Sequence, residues 1–270
     1  MTVIRLSDEA RQLIGFIETE SGATVRDCLV GDERVVFVVA PGEMADAIGP
    51  QGKTVARIEE RVNKRVELVE DADDPGIFVA NALRPAAVYD VTVRDREGDT
   101  VAYAEVNTAD FGAAIGRDGQ NIQTATELAD RHFDIDGIEL APEPESLLDT
   151  VTETTEVEPA DALFDARDER LVVLAPTGSR EPIESASEEL REQLGWPIVV
   201  VTYAGDPATL IEHALAPAEV ENVTVSALGT AYVEVSEDDR GLAIGSSGTR
   251  IRLARLLAAE YAGLDDVELT

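Results

Sequence analysis

Ala114-Ile115-Gly116-Arg117-Asp118-Gly119-Gln120-Asn121-Ile122 runs an apolar pair into a Gly-x-x-Gly turn and out into a second apolar periodic segment. The pattern predicts helix, glycine loop, helix. It recurs at Ala47-Ile48-Gly49-Pro50-Gln51-Gly52-Lys53-Thr54-Val55 and at Ala243-Ile244-Gly245-Ser246-Ser247-Gly248-Thr249-Arg250-Ile251. Glycine has no Cβ, so two of them around two polar residues let the backbone turn tightly and come close to another backbone. The helix that follows aims unpaired N–H groups and the positive end of its dipole at the turn, an arrangement that favours phosphate. A single such turn is an ordinary feature of proteins, whereas three in one apolar frame indicate a repeated module.

Working outward from the first copy, residues 7–20 predict a helix capped by Ser7, with Leu13, Ile14, Phe16 and Ile17 as its apolar face. Thr24–Val30 and Arg34–Ala40 predict two strands around a Gly31-Asp32 turn. Helices over Glu43–Ile48 and Lys53–Asn63 flank the loop, and Arg65–Val69 is a closing strand. Around the second copy the same order follows from Asp74-Pro75: a helix to Leu83, strands Val88–Arg94 and Val101–Asn107, the helix–loop–helix, and a strand at Asp134–Leu140. Helix, strand, strand, helix, loop, helix, strand resembles the KH module of the prokaryotic arrangement. In that module the Gly-x-x-Gly loop clamps about four single-stranded nucleotides.

A more specific resemblance covers residues 1–140. It rests on Thr24-Val25-Arg26-Asp27-Cys28, Val36-Phe37-Val38-Val39, Glu67-Leu68-Val69-Glu70 with Asp73-Asp74-Pro75, Val101-Ala102-Tyr103-Ala104-Glu105-Val106, Ala114-Ile115-Gly116 and Arg131-His132-Phe133-Asp134-Ile135-Asp136. These residues are similar to the short archaeal form of the transcription factor NusA, a tandem KH pair. The resemblance implies a non-enzymatic factor acting on nascent RNA, with RNA polymerase as a further partner.

The remainder repeats this pair. Asp168-Glu169-Arg170-Leu171-Val172-Val173 echoes Asp32-Glu33-Arg34-Val35-Val36-Phe37, Asp206-Pro207 echoes Asp74-Pro75, and Tyr232 to Gly241 matches Tyr103 to Gly112. The expected fold class is therefore α+β, an internally duplicated tandem KH chain with four KH-like units. Their expected bounds are 1–72, 73–140, 166–205 and 206–270. Residues 141–165 hold three prolines, many acids and no Lys or Arg, and read as an acidic linker, with a docked helix near Ser146–Leu148 as the alternative. The third unit is expected to be degenerate. Thr177-Gly178-Ser179-Arg180-Glu181-Pro182 stands where the glycine loop belongs, and its leading helix and the helix before the loop are both read as lost.

Charge raises an objection. With 55 acidic and 22 basic residues the net charge is −33, which ordinarily argues against a nucleic-acid binder. The acidity is uniform, however, and Lys53 and Lys64 are the only lysines, the pattern of proteins from salt-loving organisms. In molar salt the Debye length is about 3 Å, so local contacts decide. One cysteine (Cys28) and two histidines (His132 and His213) leave no disulfide and no metal cluster, and the histidines read as helix caps. No P-loop or nucleophile elbow is present, no apolar run is long enough to span a membrane, and there is no signal-peptide layout at the N-terminus. The reading is a soluble cytoplasmic protein without cofactor, metal, membrane contact or small-molecule substrate.

The candidate RNA-binding residues are the loops and the helix starts after them: Gly49, Pro50, Gln51, Gly52, Lys53 and Arg57; Gly116, Arg117, Asp118, Gly119, Gln120 and Asn121; Gly245, Ser246, Ser247, Gly248, Thr249 and Arg250. Loops of the resembling family usually place a basic residue between the glycines. Here only Arg117 does so, with Lys53 and Arg250 as stand-ins from the adjoining helices, and Asp118 is expected to face solvent. Arg240, Arg250, Arg252 and Arg255 occupy a stretch without any acid and read either as RNA contacts or as internal ion pairs. Ile48, Val55, Ile115, Ile122, Ile244 and Ile251 either line an aliphatic groove for bases or belong to the core. The expected function is single-stranded RNA binding in transcription termination or antitermination. The alternative is a protein-interaction scaffold in a polymerase- or ribosome-linked complex.

Overall fold

The computed structural model describes residues 6–270. The chain folds as two compact units, one ending at Ala141 and one starting at Pro142. In the first, α1 (Asp8–Ser21), β1 (Val25–Val30), β2 (Arg34–Val39), α2 (Met44–Ile48), α3 (Lys53–Val62) and β3 (Arg65–Glu70) form one KH domain. A second follows as α4 (Pro75–Ala82), β4 (Val88–Arg96), β5 (Asp99–Val106), α5 (Phe111–Ile115), α6 (Gln120–Phe133) and β6 (Gly137–Pro142).

Local chemistry sets these boundaries. The Ser7 hydroxyl accepts from the Ala10 N–H at 3.1 Å, and Gly22, at φ 77°, ends α1. Asp74 caps α4 through the Ile77 N–H at 2.9 Å, with Pro75 at the first helical position. Asp206 does the same for the matching helix of the second unit through the Thr209 N–H, also at 2.9 Å.

The second unit repeats the order: α7 (Pro144–Thr155), β7 (Asp161–Asp165), β8 (Arg170–Pro176), α8 (Arg180–Ser185), α9 (Ser187–Leu194) and β9 (Ile198–Tyr203), then α10 (Pro207–Leu215), β10 (Val220–Val225), β11 (Thr230–Val235), α11 (Arg240–Ile244), α12 (Thr249–Ala262) and β12 (Asp266–Leu269). Each KH-like domain contributes a three-stranded sheet with its second strand in the middle. In the first, third and fourth sheets that strand runs antiparallel to the one before it and parallel to the one after.

The central strand also explains how two domains fuse into one unit. Val35-Val36-Phe37-Val38-Val39 is buried along its whole length, so the strand is covered on both faces. Val35 and Phe37 pack with Ile17 and Ile58 of their own domain, while Val36 and Val38 pack with Phe78 and Val79 of α4, the leading helix of the next domain. In the second unit β8 repeats this, with Val172 and Leu174 against Leu210 and Ile211 of α10. Each fully buried side chain of this size contributes roughly 1.5–3 kcal/mol.

Three expectations need correction here. Residues 141–165 are not a linker: they form α7 and β7, because Leu147 and Val151 stand four residues apart on one buried face and Ala162 and Phe164 alternate inward. The acids that gave the segment a solvated look are mostly on the outer faces. The third domain therefore keeps its leading helix. It also keeps both helices after β8, as α8 and α9, which abut at Ala186 without a glycine pair between them. Finally, the histidines are not caps. The His132 ring stacks on Phe78 with centroids 4.8 Å apart and meets the buried Asp27 at 3.3 Å, and His213 Nδ1 lies 2.8 Å from the Thr202 carbonyl.

Candidate nucleic-acid interface

The three glycine loops share one backbone conformation. The first glycine of each (Gly49, Gly116, Gly245) has φ 71–75° with ψ 172–176°, a region open essentially to glycine alone. A side chain would also be crowded there, least at Gly245. A Cβ would lie 2.0 Å from Thr54 Oγ1 at Gly49, 2.7 Å from Asn121 Cβ at Gly116 and 3.0 Å from the Arg250 backbone N at Gly245. The third loop residue (Gln51, Asp118, Ser247) and the last glycine are both left-handed. All three middle residues are exposed, Asp118 among them.

Part of the donor set expected to face a phosphate closes the turn instead. The N–H of Gly52 donates to the Gly49 carbonyl at 3.0 Å and that of Lys53 to the Pro50 carbonyl. Gly119 and Gln120, and Gly248 and Thr249, are bonded in the same way. What each loop presents outward is its glycine-lined surface and the positive end of the following helix.

Two candidate contacts prove structural. The Asn121 amide donates to the carbonyls of Ala113 at 3.2 Å and Leu83 at 3.2 Å, tying the two helices around the loop to the end of α4. Arg250 holds the matching position and donates to the Leu242 carbonyl at 2.8 Å. The other arginines of the acid-free stretch also turn inward. Arg240 donates to the Leu269 carbonyl at 2.9 Å, Arg255 pairs with Asp266 at 2.7 Å and Arg252 with Asp168 at 2.5 Å. Internal contacts thus occupy this cluster, as ion pairs at Arg252 and Arg255 and as bonds to backbone carbonyls at Arg240 and Arg250. In the first domain Arg57 reaches Glu20 at 3.5 Å, Lys64 lies 3.8 Å from Glu9, and the Arg61 guanidinium covers the Phe16 ring.

The apolar candidates divide. Ile48, Ile115 and Ile244, each just before a first glycine, are 40%, 42% and 40% exposed, whereas Ile251 belongs to the core. Three large aliphatic side chains left in solvent at one matched position provide an apolar floor beside each loop.

A groove of about 540 Å³ lies within the first unit, between the β2–β3 side of the first domain and the second glycine loop. Arg34, Arg65, Arg84 and Arg117 line it beside Gly116 and Asn121. Arg34 is committed to Glu67 at 2.9 Å and to the Gln120 carbonyl and Thr124 hydroxyl. Arg65, Arg84 and Arg117 are exposed and have no ion-pair partner among the described residues. Arg34 and Arg84 escaped the sequence reading because neither neighbours a loop in the chain. Their one trace there is that Arg84 stands where Ala216 does in the repeat.

Comparison with known proteins agrees with the KH fold. The model of the NusA-like second KH domain fits residues 75–143 and again 207–261, and a general KH domain model fits residues 12–80. A probable transcription termination protein NusA of Halococcus morrhuae is 59% identical over 138 residues, covering 51% of this chain and 99% of the relative. That of Halobacterium salinarum is 61% identical over 137 residues, covering 51% and 98%. The Methanocaldococcus jannaschii protein of the same description is 34% identical over 143 residues, covering 53% and 78%. With a relative matched along nearly its whole length at 59% identity, the chain belongs to the NusA family.

Proposed function

We propose that the chain binds single-stranded RNA through its glycine loops, chiefly across the first unit, and acts in transcription termination as its relatives are named. The observation that carries this reading is the groove beside Gly116. In a chain of net charge −33 it gathers three exposed arginines, without ion-pair partners among the described residues, against the backbone of Gly116 and the apolar side chains of Val36, Leu68 and Val69. Guanidinium groups suit phosphates, and the apolar lining suits a base face. The halophilic sources of two relatives agree with the acidic coat, under which only such short-range contacts act.

The test is anisotropy of a short labelled single-stranded RNA in molar potassium chloride, using the full chain and a variant with Pro50→Asp, Gln51→Asp and Arg117→Asp. These changes add charge to the loops and leave every glycine in place. A loss of about tenfold or more is expected, and equal affinity overturns the reading. Readthrough at a terminator in transcription with an archaeal polymerase addresses the termination role. The interaction-scaffold reading takes over if a variant with all three loops blocked, Ser246→Asp and Ser247→Asp being added, still shifts readthrough.

A further inference from the structure

The third domain has no glycine loop of its own, yet three of its side chains converge on the loop of the fourth. Arg170 is 9% exposed. Its Nε donates to Asp165 at 3.0 Å, and its NH2 group donates to Asp168 at 3.1 Å and to the Thr249 carbonyl at 3.2 Å. Asp168 in turn accepts from Arg252 at 2.5 Å and 3.2 Å, and the remaining nitrogen of Arg252 donates to the Ser247 carbonyl at 2.5 Å. Of the carbonyls on either side of Gly248, that of Thr249 is therefore held directly by Arg170 at the start of β8, and that of Ser247 through Arg252, which Asp168 of the β7–β8 turn anchors. The loop they hold includes Ser247 at φ 51°, a conformation an L-residue adopts only at a cost of roughly 1–2 kcal/mol and keeps when its surroundings fix it.

The first unit holds a simpler version. Arg34, matched to Arg170, donates to the carbonyl of Gln120, which is matched to Thr249. Gln123 stands at the place of Arg252, and Asp32, at the place of Asp168, is exposed. The second unit has thus elaborated a bond that the first unit makes with one arginine.

We propose that the third domain is a brace: Asp168, Arg170 and Arg252 are positioning residues that keep the fourth domain's loop in the shape that grips a single-stranded RNA. Two carboxylates and two guanidinium groups balance within the network, so it adds no net positive field, and Arg252 serves the loop rather than a phosphate. The inference rests on the RNA reading of the glycine loops given above.

The decisive variant is Asp168→Asn in the full chain, with the first two loops blocked by Pro50→Asp, Gln51→Asp and Arg117→Asp so that the fourth loop carries the binding. Removal of a negative charge near an RNA site ordinarily raises affinity. The brace gives the opposite sign, a loss of about fivefold to tenfold for a short single-stranded RNA. The slope of log affinity against log salt stays unchanged, because no phosphate contact is removed. Amide hydrogen exchange, read without RNA, quickens at Ser247–Thr249 while β8 and β9 keep their protection. Asp32→Asn in the parent chain, at the matched but unbraced position, leaves affinity unchanged or raised. Equal or higher affinity for Asp168→Asn overturns the proposal, as does unaltered exchange in the loop. A loop-blocked parent that fails to bind RNA refutes the RNA reading of the fourth loop and with it the grip assigned to the brace, and the exchange result then stands only for the structural half.

Discussion

The two units place the same folds around opposite uses of arginine. In the first, Arg65, Arg84 and Arg117 stand in the groove beside Gly116 without ion-pair partners among the described residues. In the second, Arg240, Arg250, Arg252 and Arg255 all turn onto carbonyls or carboxylates of their own unit. Equal numbers of basic residues near a glycine loop therefore say little about RNA. What matters is whether each guanidinium already has a partner, since a satisfied charge has to lose that partner before it gains a phosphate.

The contrast between domains with and without a glycine loop gives the largest expected effect. Gly116→Ala puts a Cβ 2.7 Å from Asn121 in a backbone region that alanine avoids, and should cost the first unit about 3 kcal/mol with loss of RNA binding. Gly178→Ala, in the third domain's turn, meets nothing within 4 Å and should cost about 1 kcal/mol, from its left-handed φ alone. Chemical denaturation of the full chain compares the two, and equal costs would break the distinction between a built loop and an ordinary turn.

A second matched pair tests how each unit joins its domains. Asp27 of β1 is fully buried and accepts from Arg131 at 2.7 Å beside His132. Asp161 of β7 is half-buried at the matched place and bonds the Tyr261 phenol. Asp27→Asn strips Arg131 of its counter-charge and should destabilise by about 2–3 kcal/mol, discounted from a fully buried pair because Arg131 is partly exposed. Asp161→Asn weakens one charge-assisted bond from the phenol, which the amide oxygen can still accept, at a cost of about 1 kcal/mol. Reversed magnitudes in the same denaturation experiment would show that the second unit depends more on this contact.

The glycine loops were legible in the sequence because their backbone leaves a compulsory trace: only glycine fits at Gly49, Gly116 and Gly245. The Asp-Pro starts of α4 and α10 were legible for the same kind of reason, a cap followed by a residue that needs no donor. The helix α7 within 141–165 was not, since its buried apolar signal is two residues, Leu147 and Val151, among acids. Nor was the fate of the arginines. Arg252 meets Asp168, 84 positions away, and Arg84 meets the second loop only through the packing of α4 against α6. Composition records which charges are present, while their partners are set by tertiary structure.

The groove can be sharpened as an RNA site by salt. Arg65→Ala, Arg84→Ala and Arg117→Ala together should lower affinity for a short single-stranded RNA by about tenfold to a hundredfold and flatten the slope of log affinity against log salt by roughly 2, at about 0.7 per phosphate contact. The parent slope should itself be shallow, on the order of −2 to −3, because few unpaired cations are present. Arg250→Ala should instead lower stability, through loss of the Leu242 carbonyl contact, and leave the slope unchanged. A slope change from Arg250→Ala equal to that from the groove arginines would return the second unit to the status of an RNA site of the same kind.

The smallest expected effect comes from alkaline pH. Cys28, buried on β1 beside Asp27, has its thiol pushed from 9.0 up to about 12, first by burial and then by the neighbouring carboxylate. The matched residue on β7 is Ala162, which does not titrate. A raised folded-state pKa means that the native chain holds its proton where the unfolded chain has released it. The stability this provides is complete below pH 9 and declines as pH climbs from 9 toward 12. Over the first pH unit above 9 the loss is roughly 1 kcal/mol for the first unit. The second unit has its own alkaline group, Tyr261, whose phenol is raised by burial and then by Asp161, and its loss begins only above the ordinary tyrosine range near pH 10. Denaturation midpoints measured between pH 8 and 10 therefore isolate the thiol. Cys28→Ala, which gives the first unit the residue the second already has, should remove the decline in that window. A decline that survives the substitution would assign it to groups other than Cys28.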